Sequence, residues 1–242
     1  MRKKPIAITT ISLNRTPEEG ETVLETVKIL NSLGIPIIIA DGGSPIKQKK
    51  IMKSFSNVTF LEAEGLTNEI KTTFRRGAAM ADSLFYLHLD KLDFVRKYVP
   101  KLIQYYLARK DKKMIVAART KKSFQTYPPY QRKVEEYLNY VLGDYCGSRS
   151  DYYYGPKIFS SMLVPYLKAL KGDVGWGIEA YFYVLNHRLS LPMEFYPVEI
   201  TAPAEVLADE LEFKQYRLKG LLQQVEGFLQ GQKVEVAGQF PS

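Results

Sequence analysis

Three polar clusters follow apolar runs in the first hundred residues: Ser12-Leu13-Asn14-Arg15, Asp41-Gly42-Gly43-Ser44 and Asp90-Lys91-Leu92-Asp93. In open α/β sheets ligands bind where strands leave the sheet at their carboxyl ends, so carboxylates, hydroxyls and cations placed there are candidate binding groups. Gly42 and Gly43 let a backbone approach a bound group closely. Lys71, Arg75 and Arg76 add cations to a segment between the second and third clusters. Neither a Walker A pattern nor a G-x-G-x-x-G fingerprint is present, which disfavours P-loop ATPase and dinucleotide-dehydrogenase chemistry. His88, His187 and Cys146 are too few for a zinc site of His and Cys, and a lone cysteine excludes a disulfide framework and fits a reducing compartment.

The elements that must position these groups alternate between strand and helix. Ile6–Leu13 reads as a strand. Thr16-Pro17-Glu18-Glu19 is an N-cap, a proline at the first helical position and two acids, opening a helix that Gly34 stops. Pro36–Ala40 is almost wholly apolar, as expected of a strand buried on both faces. A basic helix, a strand at Val58–Ala63 and a helix capped by Thr67 follow. Next come a strand at Leu84–Leu89, a helix over Lys91–Arg109 and a strand at Met114–Ala118. Such alternation predicts an α/β fold with a mainly parallel sheet flanked by helices. Beyond it lie a Tyr-rich stretch at 127–154, a helical segment at 158–171, a helix at Ile178–Arg188 and a strand at Met193–Ile200. A final amphipathic helix carries Leu207, Leu211, Leu218, Leu222, Val225 and Leu229, an apolar set suited to core packing or dimerisation.

The order of these motifs resembles the GT-A fold glycosyltransferases of the family 2 type. Ile37-Ile-Ile-Ala-Asp41-Gly-Gly-Ser44 is similar to their strand ending in Asp-Asp-Gly-Ser, and Lys71–Leu89 to the helix and strand before their Asp-x-Asp motif. Met114–Arg119 resembles a later strand ending in Arg, Asp151–Gly155 an acceptor-side glycine segment, and Gly175-Trp176-Gly177-Ile178-Glu179 an acidic segment. The last is most similar to the mannosylglycerate synthase and glucosyl-3-phosphoglycerate synthase branch. The resemblance implies a GT-A domain over residues 1–203, with a nucleotide-sugar half at 1–120 and an acceptor half at 121–203. Residues 204–242 would be a C-terminal helical appendage.

It also implies transfer of a sugar from a nucleotide diphosphate sugar to a hydroxyl acceptor. Ser12, Asn14, Arg15, Asp41, Gly42 and Gly43 would meet the nucleotide, and Lys71, Arg75 and Arg76 would neutralise its diphosphate. Asp90 and Asp93 would hold Mg²⁺ or Mn²⁺, with Asp90 also counted as catalytic. Glu179 would act as base or acceptor ligand, and Asp151, Gly155 and Trp176 would line the acceptor side. Two departures stand out. The acids at Asp90 and Asp93 are three apart rather than two, and residues 189–242 contain no histidine to complete a metal site. They motivate the alternative, a catalytically inactive nucleotide-binding or interaction module of the same fold.

The whole chain has 242 residues and a net charge of +8, but the excess is local. Residues 96–122 hold ten bases (Arg96, Lys97, Lys101, Arg109, Lys110, Lys112, Lys113, Arg119, Lys121 and Lys122) and one acid, Asp111. This segment is a candidate contact for an anionic membrane; nucleic-acid binding is disfavoured because no stacking motif accompanies the charge. With no long apolar run and no signal-peptide pattern, the sequence is expected to be cytoplasmic. A homodimer is a further expectation.

Overall fold

The computed structural model describes residues 3–12, 16–109, 111, 113–208 and 210–236. Asn14 and Arg15 lie outside the described residues, as do Lys110 and Lys112. The elements are β1 (Ala7–Ser12), α1 (Pro17–Ser32), β2 (Ile37–Asp41), α2 (Ile46–Ser54), β3 (Val58–Glu62), α3 (Leu66–Met80), β4 (Ser83–Tyr86) and α4 (Leu92–Leu107). They continue with β5 (Met114–Arg119), α5 (Lys121–Phe124), α6 (Pro129–Cys146), β6 (Lys157–Ser160), α7 (Gly177–Arg188), β7 (Met193–Val198) and α8 (Leu211–Gln232). The chain divides into two compact units, residues 1–115 with 155–165 and residues 116–154 with 166–242.

In the first unit the strands run β3-β2-β1-β4-β6. β1 pairs in parallel with β2 and β4, and β2 with β3; β6 runs antiparallel to β4. Every residue of β2 is buried, so its run of isoleucines is the centre of this core. The α1 start is built as its sequence dictates. The Glu19 N–H donates to Thr16 Oγ1 at 3.2 Å, and Glu19 Oε2 accepts from the Thr16 N–H at 3.3 Å, with Pro17 pre-set at the first position. In the second unit β5 and β7 are neighbours, and α6, α7 and α8 carry the helical core. The mixed α/β, mainly parallel fold expected from strand–helix alternation is the one observed.

Several boundaries differ from the sequence expectation. β4 ends at Tyr86 rather than Leu89, because the chain turns at Leu89–Asp90 to enter α4. Thr67 lies inside α3, whose N-cap is Gly65 at φ 84°, a left-handed position that favours glycine. The segment expected to be helical at 158–171 instead begins as β6, whose residues pair with Ser83–Tyr86. A 3₁₀ stretch, Ser161–Ala169, follows. The Tyr-rich stretch contains an 18-residue helix, α6.

The final helix also departs from expectation. Leu207 is not part of it but lies in a 3₁₀ stretch, Ala204–Ala208. Leu207, Leu211, Leu218, Leu222, Val225 and Leu229 are all exposed, while Gly220, Gln224, Gly227 and Gly231 are buried. The core-packing reading of that leucine stripe is therefore wrong. α8 packs through its glycines: a Cβ on Gly227 would lie 1.8 Å from the Gly177 carbonyl oxygen, and one on Gly177 would lie 2.0 Å from that of Gln223. Backbone approach of this closeness is open only to glycine. Gln224 completes the seam by accepting from the Ala180 N–H at 3.0 Å.

Candidate functional site

In the first unit the carboxyl ends of β1 and β2 lie at one level, with Ser12 paired to Asp41. The Gly42 N–H donates to the Ser12 carbonyl at 2.9 Å, and the Ser12 and Ser44 hydroxyls lie 3.3 Å apart. The Asp41 side chain is fully buried. Its Oδ2 accepts from the Gly43 and Ser44 N–H groups at 3.1 and 3.0 Å and pairs with Lys49 Nζ at 3.1 Å. Gly43 has φ 133°, which a side chain would strain. Asp41 Oδ1 has no hydrogen-bond partner among the described residues. A buried carboxylate oxygen left without a donor costs free energy, so it marks a place where a ligand donor would be stabilising.

Against Gly42 stands the buried carboxylate of Glu69, a residue that sequence reasoning missed. A Cβ on Gly42 would lie 2.4 Å from Glu69 Oε1. The signal available was Glu69's place two residues before Lys71, on the helix that follows β3. Lys71 is half-buried on α3, and Arg75 and Arg76 one turn further are exposed. The structure thus gathers Ser12, Asp41, Gly42, Ser44 and Glu69 at one edge.

Asp90 is exposed in the turn before α4, and Asp93 is exposed in the first turn of α4. Among the described residues no three His, Cys, Asp or Glu side chains converge in a metal-holding group. His88 packs its ring against Gly155, where a Cβ would lie 2.9 Å from Nε2 and where φ is 110°.

The second unit holds a buried ionic network. Arg119, at the end of β5, donates through Nε to Asp151 Oδ2 at 2.6 Å and through Nη2 to Asp151 Oδ1 at 2.9 Å and Glu135 Oε2 at 2.6 Å. Asn139 Nδ2 also reaches Asp151 Oδ1 at 3.2 Å, and Gln131 Nε2 reaches Glu135 Oε1 at 2.6 Å. The guanidinium lies over the rings of Tyr127, Phe124 and Tyr154 at 4.5, 4.8 and 5.5 Å. Burial alone would lower the Arg119 pKa, but the Glu135 and Asp151 carboxylates outweigh it and raise the pKa well above the ordinary arginine value. Burial raises the Tyr127 hydroxyl, against the lowering influence of Arg119.

Beside this network is a cleft of about 320 Å³, lined among others by Lys121, Asn139, Tyr140, Arg149, Ser150 and Asp151. Arg149 lies over the Tyr140 ring at 5.8 Å. Trp176 caps α7; its Nε1–H donates to the Tyr216 hydroxyl at 2.8 Å and its backbone N–H to Gln223 Oε1 at 3.3 Å. Glu179 is buried in the first turn of α7. The three residues expected on the acceptor side have three different sets of neighbours: Asp151 in the Arg119 network, Gly155 against His88 and Trp176 on the α7–α8 seam.

The basic segment 96–122 is not all surface. Arg119 is internal, Arg96 pairs with Glu25, and Lys113 pairs with Asp111 at 3.1 Å. No described helix is long and apolar enough to cross a membrane.

No protein-family model and no curated protein sequence matches the chain. Solved structures do. Glucosyl-3-phosphoglycerate synthase from Mycobacterium tuberculosis superposes with a TM-score of 0.65 at 14% identity, over 98% of this chain and 85% of that one. Mannosyl-3-phosphoglycerate synthase from Rubrobacter xylanophilus gives 0.65 at 12% identity, over 97% and 78%. The chain has the GT-A fold. A further structure of the mycobacterial enzyme, in complex with Mn²⁺, UDP and phosphoglyceric acid, gives 0.61 at 14% identity, over 97% and 80%. Within a GT-A fold, the β1–β2 edge with Asp41 is a carboxyl-end edge of the kind where ligands bind.

Proposed function

We propose that the chain is a glycosyltransferase that moves a sugar from a nucleoside diphosphate sugar to a hydroxyl acceptor. The observation that carries this reading is Asp41, a wholly buried carboxylate at a strand exit with one oxygen committed to its own turn and to Lys49, and the other without a donor among the described residues. A base N–H or a ribose hydroxyl supplies the missing donor. The likeness to nucleotide-sugar enzymes, one of them holding UDP, supports the same donor class. Lys71, Arg75 and Arg76 on α3 are the candidate cations for the diphosphate, whose departure develops negative charge.

Asp90 and Asp93 suit a divalent cation held mainly by that diphosphate, because Mg²⁺ takes one or two carboxylates together with substrate phosphates. They do not suit a cation held by protein alone, since no third ligand converges with them among the described residues. Such an ion would offset charge on the leaving diphosphate. On the acceptor side, Asp151 is paired with Arg119, and Lys121 and Arg149 outnumber the other lining carboxylate, Glu136. With Asn139 and Ser150 they favour an anionic hydroxyl acceptor in the second unit's cleft, in keeping with the phosphoglyceric acid bound by a neighbour. Glu179 is the candidate base.

Calorimetric titration with UDP and GDP, with and without Mn²⁺, tests the donor site. Binding of at least one nucleotide, strengthened by Mn²⁺ and lost in Asp41→Ala, is the expected result; absence of heat with both removes the reading. Binding without turnover of UDP- or GDP-sugars on a panel of hydroxy-acid phosphates would favour the inactive module, the reading that the irregular acid spacing of Asp90 and Asp93 supports.

A further inference from the structure

The exposed face of α8 has a pattern that its monomeric packing does not use. Leu211, Leu218, Leu222, Val225 and Leu229 are between 37% and 69% exposed. At 3.6 residues per turn they fall within roughly 60° of one another, directly opposite the buried Gly220, Gln224, Gly227 and Gly231. Their spacing of seven, four, three and four is that of a coiled-coil seam, with Leu222 and Leu229 at a and Leu211, Leu218 and Val225 at d. An apolar stripe of this regularity in water marks an interaction surface.

Charge alongside the stripe identifies the occupant. The e positions are Glu212, Lys219, Glu226 and Lys233, alternating in sign at every heptad, and all four are exposed. In an antiparallel pair of helices e faces e of the partner, and a faces d. With Leu222 set against Val225 of a second copy and Leu218 against Leu229, Lys219 meets Glu226 and Glu212 meets Lys233. Two-fold symmetry repeats each pair. A parallel pair would instead set e against g, bringing Lys214 against Lys219, Glu226 against Leu221 and Lys233 against Phe228. The alternation is therefore self-complementary in one orientation only. We infer that α8 is a homodimerisation helix that pairs antiparallel, about a two-fold axis, with the α8 of a second copy of this chain. This inference does not depend on the catalytic reading.

Sedimentation or light scattering across a concentration series tests it, with circular dichroism and thermal unfolding to show that each variant folds. The wild-type chain is expected to be a dimer and Leu222→Glu a folded monomer. Lys219→Glu, on an exposed position that threatens no core, creates two like-charge contacts. It should raise the dissociation midpoint by about tenfold, and Lys219→Glu/Glu226→Lys should restore it. Mixing Leu222→Cys and Val225→Cys chains under oxidation should give a disulfide-linked heterodimer. A wild-type chain monomeric up to its solubility limit, a dimer indifferent to Leu222→Glu, or cross-linking of Leu222→Cys chiefly to itself would each overturn the antiparallel dimer.

Discussion

Asp41 in the first unit and Asp151 in the second are both buried carboxylates, yet their surroundings are opposite in kind. Asp151 has donors on both oxygens: the Arg119 Nε, Nη2 and backbone N–H groups, and the Asn139 amide. Among the described residues, Asp41 has its donors on Oδ2 only. Burial therefore says little about role until the hydrogen bonds are counted. A carboxylate with both oxygens engaged holds its neighbours in place, as Asp151 orients the guanidinium of Arg119. A carboxylate with one oxygen unengaged lowers stability slightly and keeps that oxygen available for a donor from a bound molecule.

Substitutions can break this contrast. Arg119→Met keeps the side-chain length but leaves buried Asp151 without its counter-ion and buried Glu135 with only the longer 3.8 Å pair to Arg217 Nη1, which costs about 3–5 kcal/mol. Calorimetric unfolding should show the melting temperature lower by about 6–20 °C at this chain size. Asp151→Asn keeps the shape and loses the charge against Arg119, for about 1.5–3 kcal/mol. Asp41→Asn retains both turn hydrogen bonds, gives up the ion pair to the part-exposed Lys49 and should cost about 1 kcal/mol or less. The same change should weaken nucleotide binding by about tenfold, a loss near 1.4 kcal/mol. If Asp41→Asn proved as destabilising as Asp151→Asn with nucleotide affinity unmoved, the first unit's carboxylate would be structural like the second's.

The two regions also differ in how far the sequence exposes them. Asp41 was legible because its cause is local. An apolar run ends in Asp-Gly-Gly-Ser, and the turn that the carboxylate caps involves only Gly43 and Ser44. The β1–β5 alternation was legible for the same reason, each strand being a contiguous apolar segment bounded by turn residues. The Arg119 network was not, because Glu135 and Asp151 reach Arg119 from 16 and 32 residues away. No spacing rule links a strand end, a helix interior and a loop. β6 was hidden by its length of four residues, too short for a period of two to be told from a helix start. The α8 leucines misled for a physical reason: an amphipathic pattern shows that a helix has an apolar face, not that this face is the one turned inward. Glycine, with no hydrophobic side chain to count, took that role.

The α7–α8 seam has a spectroscopic consequence. The chain contains one tryptophan, Trp176, and it sits at the head of this seam with its indole N–H on Tyr216 and its backbone on Gln223, both residues of α8. All tryptophan emission from the molecule thus originates at one junction. A fluorescence titration would read any repacking of α7 against α8 without an introduced dye, with no second indole to dilute the signal.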